Sequence, residues 1–162
     1  MARYAAETTV PVEKSRAEIE HTLARYGATR FAYAAEPERA QVVFEVDGRR
    51  VRFVVPLPKR DARAFTHTPG RNKPRTPEDA YRAWEQACRQ RWRALALAIK
   101  AKLEVVAAGI STFESEFLAH VVLPTGETVG EWLSPQLEAT YKSGRMPPLL
   151  LEDGRRRPAE AT

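Results

Sequence analysis

Gln41-Val42-Val43-Phe44-Glu45-Val46-Asp47-Gly48-Arg49-Arg50-Val51-Arg52-Phe53-Val54-Val55 decides the fold class. Two runs rich in β-branched and aromatic residues flank Asp47-Gly48, a pair suited to a two-residue type I′ turn because both central residues must take positive φ. Such a turn dictates register. It sets Val46 opposite Arg49, Phe44 opposite Val51 and Val42 opposite Phe53 on one face, and Glu45 opposite Arg50 on the other. The stretch predicts strands over 41–46 and 49–55 with one apolar face to be covered.

Upstream, 29–35 alternates with Thr29, Phe31 and Tyr33 on one side, and Glu36-Pro37-Glu38-Arg39 reads as a turn. Before it, Val12, Ile19, Leu23 and Tyr26 recur at helical spacing, which predicts a helix over 12–26 stopped by Gly27. Downstream, Pro56 and Pro58 end the third strand because proline cannot donate to a ladder. Residues 59–76 lack periodicity and read as a long loop.

Thr76-Pro77-Glu78-Asp79 then opens a long helix, with threonine as cap, proline at the first helical position and acids in the first turn. Its apolar stripe is Tyr81, Trp84, Cys88, Trp92, Leu95, Ile99, Leu103 and Val106, and it can run to Ala108. That placement makes Trp84 and Trp92 core residues, and Trp132 is read the same way. Ser111 to Glu114 has capping-box spacing for a short helix through Phe117. Residues 121–123 and 127–129 around Pro124-Thr125-Gly126 predict a small hairpin, and Ser134-Pro135 a short helix over 135–143. The expectation is a single α+β domain over 1–151: an N-terminal helix, a three-stranded antiparallel sheet, one long helix and a small helical/hairpin C-terminal segment. Residues 152–162 read as a frayed polar tail.

A chain of 162 residues has the length of one domain, and 43% apolar with 29% charged residues is ordinary globular composition. No run is apolar enough to span a membrane, and Met1 to Val10 lacks a secretory pattern. The single cysteine, Cys88, fits a reducing compartment. Cytoplasm is the expected location.

The charge is unevenly placed. Of 26 basic and 21 acidic residues, Lys59, Arg60, Arg63, Arg71, Lys73 and Arg75 lie in 59–76 against Asp61 alone. The rest of the chain keeps 20 of each sign, so the whole excess of +5 resides in this segment. On the long helix, Arg82, Arg89, Arg93 and Lys100 gather within about 20° of a common direction.

Catalytic and metal chemistries find no pattern. His21, His67 and His120 are scattered and far from Cys88, so no metal-ligand spacing exists. Cys88 sits on an apolar stripe, where a thiol packs as a small hydrophobe. Nucleotide-cradling glycine loops and nucleophile elbows are absent, and Glu114 with Glu116 suits a helix start. The reading is a non-enzyme with no cofactor, no metal and no catalytic residue.

The segments Glu13-Lys14-Ser15-Arg16-Ala17-Glu18-Ile19-Glu20, Arg25-Tyr26-Gly27-Ala28, Arg91-Trp92-Arg93-Ala94-Leu95-Ala96-Leu97 and Ile99-Lys100-Ala101-Lys102 resemble a family of small proteins encoded by bacteriophages and prophages. The likeness spans most of the chain to Pro148 and implies a bacterial host cytoplasm without assigning a mechanism. The order helix, three strands, helix is similar to the double-stranded-RNA-binding domain. There the second helix opens on a lysine cluster, whereas here it opens on Glu78 and Asp79. The same order is similar to the core of Rad52-type single-strand annealing proteins, which hold one DNA strand in a basic groove and often form rings.

These readings converge on a phage-encoded, nucleic-acid-binding protein of replication or recombination, with single-stranded DNA favoured. Lys59, Arg60, Arg63, Arg71, Lys73 and Arg75 are the expected phosphate contacts, extended by Arg82, Arg89 and Arg93. Phe65 and His67 are candidates for stacking on bases. The alternative is a small accessory protein that binds and modulates a host protein through this loop and the apolar stretch Met146 to Leu151. Neither reading involves a membrane, and both allow a homo-oligomer.

Overall fold

In a computed structural model that describes residues 5–145, the chain runs through α1 (Val12–Arg25), β1 (Arg30–Glu36), β2 (Arg39–Val46), β3 (Arg49–Pro56), α2 (Arg63–Thr66), α3 (Pro77–Ala107), α4 (Phe113–Phe117) and α5 (Val129–Ser143). The expected tail 152–162 and the apolar stretch Met146 to Leu151 lie outside the described residues.

Asp47 and Gly48 take φ of 48° and 72°, as the type I′ turn requires. The β2–β3 register follows, with Val46↔Arg49, Phe44↔Val51 and Val42↔Phe53 as Cα partners and Glu45↔Arg50 on the opposite face. β1 joins β2 antiparallel, pairing Phe31 with Phe44 and Tyr33 with Val42, in the order β1-β2-β3. The turn between them shrinks to Pro37 and Glu38, so Glu36 and Arg39 belong to the strands.

One face of the sheet is sealed. Ala40, Val42, Phe44, Val46, Val51, Phe53 and Val55 are buried beneath Ile19 and Leu23 of α1 and Trp92, Ala96, Ile99 and Leu103 of α3. Phe117 of α4 fills the remaining gap, edge-on to Phe44 at 5.8 Å and to Phe53 at 6.2 Å between centroids. α3 starts as expected: Thr76 Oγ1 accepts from the Asp79 backbone N–H at 3.2 Å and Pro77 occupies the first turn. Trp92 lies in the core, while Trp84 is half-buried and Tyr81 stays 41% exposed. Trp84 and Tyr81 both lie N-terminal to the buried α3 residues Cys88, Trp92, Ala96, Ile99 and Leu103.

The C-terminal segment departs from expectation in three places. α4 is capped by Thr112, whose Oγ1 accepts from Ser115 N at 3.2 Å, instead of by Ser111. The small hairpin forms, with Leu123 N donating to Glu127 O at 2.7 Å, and Val122 N donates to Arg50 O at 2.8 Å. That bond lays Val121 and Val122 along the outer edge of β3. α5 begins six residues before Pro135. Thr128 and Glu131 form a reciprocal capping box, at 3.2 Å from Glu131 N to Thr128 Oγ1 and 2.7 Å from Thr128 N to the Glu131 carboxylate. Satisfying those terminal groups outweighs the one backbone bond the proline removes. Trp132, expected in the core, lies on α5 and is 39% exposed.

His120 ends a single 3-10 turn, Leu118–His120, and stacks on Phe53 at 4.0 Å between centroids. Burial, aided by nearby Lys102, holds its pKa below the usual 6.5.

Two predictions test this core. Phe44→Ala leaves a cavity among Phe53, Phe117 and Val51, and its unfolding free energy should drop by about 3–5 kcal/mol in urea titration. Because the folded His120 pKa is depressed, the unfolded chain takes up the proton first. The stability it contributes is full above about pH 6.5 and is lost as pH falls through the lower folded value. Denaturant midpoints between neutral pH and about pH 5 should therefore fall more steeply for the parent chain than for His120→Phe.

Candidate functional site

The basic segment 59–76, expected as an open loop, is folded into a strap. After α2 the chain makes a closed turn: Thr68 N donates to Lys73 O at 2.8 Å, Arg75 N to Thr66 O at 2.8 Å, and His67 bridges Pro74. Lys73 N also donates to Thr68 Oγ1 at 3.1 Å, and Asn72 takes a φ of 50° at the bend. These local bonds supply the order that side-chain periodicity does not announce. The chain just ahead of the strap is fastened to α3, since Trp84 Nε1 donates to Pro58 O at 2.7 Å and Arg91 donates to Pro56 O.

The six strap cations divide. Lys59 pairs with Glu38 at 3.1 Å, with both side chains more than half exposed. Arg75 is half-buried and donates to Phe65 O at 3.2 Å, a positioning bond within the strap. Arg60 lies over the Tyr81 ring at 4.8 Å and within 6.0 Å of the Trp84 ring, cation–π geometry with the ring pair. Arg63, Arg71 and Lys73 are exposed. Among the described residues, Arg60, Arg63, Arg71, Lys73 and Arg75 have no carboxylate within ion-pair distance.

The α3 arginines are placed differently. Arg89 pairs with Glu85 at 2.8 Å and donates to Gln86 Oε1, and Gln86 in turn holds Ala6 O and Thr8 O of the N-terminal segment. Arg93 pairs with Glu18 and so clamps α1 to α3. At about 100° per residue, these two lie roughly 140–180° around the helix from Trp84 and Arg91, where the chain leading into the strap is attached. Arg82 keeps a loose 3.9 Å contact with Asp79 and lines a shallow cleft of about 380 Å³ with Arg60 and Tyr81. The geometry thus brings Arg82 alongside the strap and leaves Arg89 and Arg93 apart from it. One continuous basic surface does not form.

The stacking candidates also separate. His67 Nδ1 lies 3.0 Å from Thr66 Oγ1, within hydrogen-bond reach of it. Phe65 lines a largely apolar groove along α3 with Ala87, Arg91, Ala94 and Leu97. The aromatic groups beside the free cations are Tyr81 and Trp84, 5.7 Å apart, which the helical spacing assigns to the core stripe. The stripe places both rings on one side of α3, but nothing local announces that Arg60 folds onto them.

Cys88 is buried, and desolvation raises its pKa, which suits a packed thiol. Among the described residues, no cluster of three or more histidine, cysteine or acidic side chains could hold a metal ion, and no helix is long and apolar enough to cross a membrane. Comparison with protein-family models, curated proteins and solved structures found no match.

Proposed function

We propose that this chain binds nucleic acid through the strap, with single-stranded DNA the favoured ligand, as a non-enzymatic component of replication or recombination. The observation that carries the reading is the split among the cations. Arg60, Arg63, Arg71 and Lys73 lack a carboxylate partner among the described residues, with Arg71 and Lys73 on the hydrogen-bonded turn and Arg63 at the start of α2, whereas Arg89 and Arg93 are consumed by packing. Guanidinium and ammonium groups held in place on a folded turn can displace counterions from a phosphate backbone with a smaller entropic cost of ordering on binding. Tyr81, half-open beside Arg60, offers a face on which an unpaired base can stack. The element order similar to that of Rad52-type single-strand annealing proteins is the ground for placing the activity in replication or recombination, and the resemblance to phage-encoded proteins supplies the bacterial host setting.

A second reading, a module that binds and modulates a host protein, draws on α5. Leu137 and Tyr141 on that helix are 46% and 88% exposed, unusual for apolar side chains one helical turn apart.

Fluorescence anisotropy with a labelled single strand at several salt concentrations tests the first reading. Replacing Arg63, Arg71 and Lys73 together by Glu should weaken binding at least tenfold. It should also flatten the slope of log affinity on log salt by about 2, because each phosphate that a single strand no longer has neutralised removes roughly 0.7 from that slope. Neutralising Arg89 should leave the slope unchanged. Affinity indifferent to the strap reversal would remove the strap from the account, and a partner retained from nuclease-treated host lysate only while Leu137 and Tyr141 are intact would favour the second reading.

A further inference from the structure

The two edges of the sheet are treated differently. β3 is covered along its outer edge by Val121 and Val122, with Val122 N donating to Arg50 O at 2.8 Å. β1 is the other edge, and among the described residues no strand or bridge lies beside it.

Ladder parity tells which groups of β1 are unpaired. Leu57 N donates to Glu38 O at 2.7 Å, which places the even-numbered residues of β2 in hydrogen bonding with β3. The odd-numbered residues of β2 therefore bond β1, where their partners are Arg30, Ala32, Ala34 and Glu36. It follows that Phe31, Tyr33 and Ala35 direct their N–H and C=O groups away from the sheet. Such a row is a template for another strand.

We propose that β1 is the edge at which two copies of this chain join, antiparallel, about a two-fold axis through Tyr33. The strand is complementary to itself. Turning Arg30-Phe31-Ala32-Tyr33-Ala34-Ala35-Glu36 about its centre sets Tyr33 against Tyr33 of the second copy and Phe31 against Ala35. All of these carry outward backbone groups, so every one of them finds a partner. The same operation sets Ala32 against Ala34, small side chains that let backbones approach. It also sets Arg30 against Glu36, opposite charges on the outer face, at a non-hydrogen-bonded position where cross-strand side chains come closest. Both charges are exposed: Arg30 has only a 3.9 Å contact with Glu45, and Glu36, which accepts from Arg39 at 2.8 Å and 3.1 Å, can take a second cation across the axis on its remaining lone pairs. The interface is isologous and closes on itself as a dimer.

Sedimentation equilibrium of the full chain tests the register directly. The parent protein should be dimeric at micromolar concentration. Arg30→Glu alone and Glu36→Arg alone each place like charges opposite one another at both symmetric positions and should weaken the dimer by about tenfold or more. The double variant Arg30→Glu with Glu36→Arg restores opposite charges and should recover most of the parent affinity. Ala35→Pro deletes an outward N–H without touching the β1–β2 ladder, and should give a monomer with an unchanged circular dichroism spectrum. If that variant fails to fold, the charge-exchange set still decides. A parent chain that stays monomeric, a dimer indifferent to the single reversals, or a double variant no tighter than the singles would overturn the proposal.

Discussion

Two residues with positive φ, Asp47 and Gly48, hold β2 and β3 in a pairing that puts Val42, Phe44, Val46, Val51, Phe53 and Val55 on one side of the sheet. A slip of one position would carry that set to solvent and bring Arg50, Arg52 and Glu45 inward, because side chains alternate with a period of two. Every other element is placed by what that face needs. α1 and α3 lie across it, Phe117 of α4 closes the space between Phe44 and Phe53, and the segments joining them take the positions left over.

The same constraint sorts the charges. Where α3 meets α1, arginines are drawn into the seam, and Arg93 with Glu18 and Arg89 with Glu85 and Gln86 serve packing. On the opposite face of α3 no such seam exists. Trp84 and Arg91 grip the carbonyls of Pro58 and Pro56 just ahead of the strap, so main chain makes that attachment while Arg63, Arg71 and Lys73 stay exposed. A charged side chain becomes available to a partner when the fold anchors the neighbouring main chain by other means. Lys59 and Arg75 show the opposite outcome, each engaged within the molecule.

The sheet edges follow a related logic. The hairpin around Gly126 brings Val121 and Val122 to the β3 side, and the capping box at Thr128 starts α5 directly from it. Glu131 ties that corner down, accepting from Thr128 and from Arg52 at 2.7 Å, and these bonds hold its pKa below the ordinary carboxylate range. Nothing comparable is built on the β1 side among the described residues, and there the strand offers alternating alanines between one base and one acid.

Much of this architecture is legible in the amino-acid order alone. The hairpin register, the span of α3 and its Thr76 cap, and the end of α1 before Gly27 depend on turn dihedrals, on the 3.6-residue period and on caps only a few positions long. The concentration of positive charge in 59–76 is equally plain, being a property of composition. The start of α5 is an exception, because Pro135 reads as a first-turn residue while the stronger local device stands at Thr128 and Glu131. What only the tertiary structure decided is which cations are free. Arg60 meets Tyr81 across 21 positions, and Arg93 meets Glu18 across 75. Such pairings are chosen by how helices and sheet stack, and charges that look alike along the chain are separated once that stacking consumes some and exposes others.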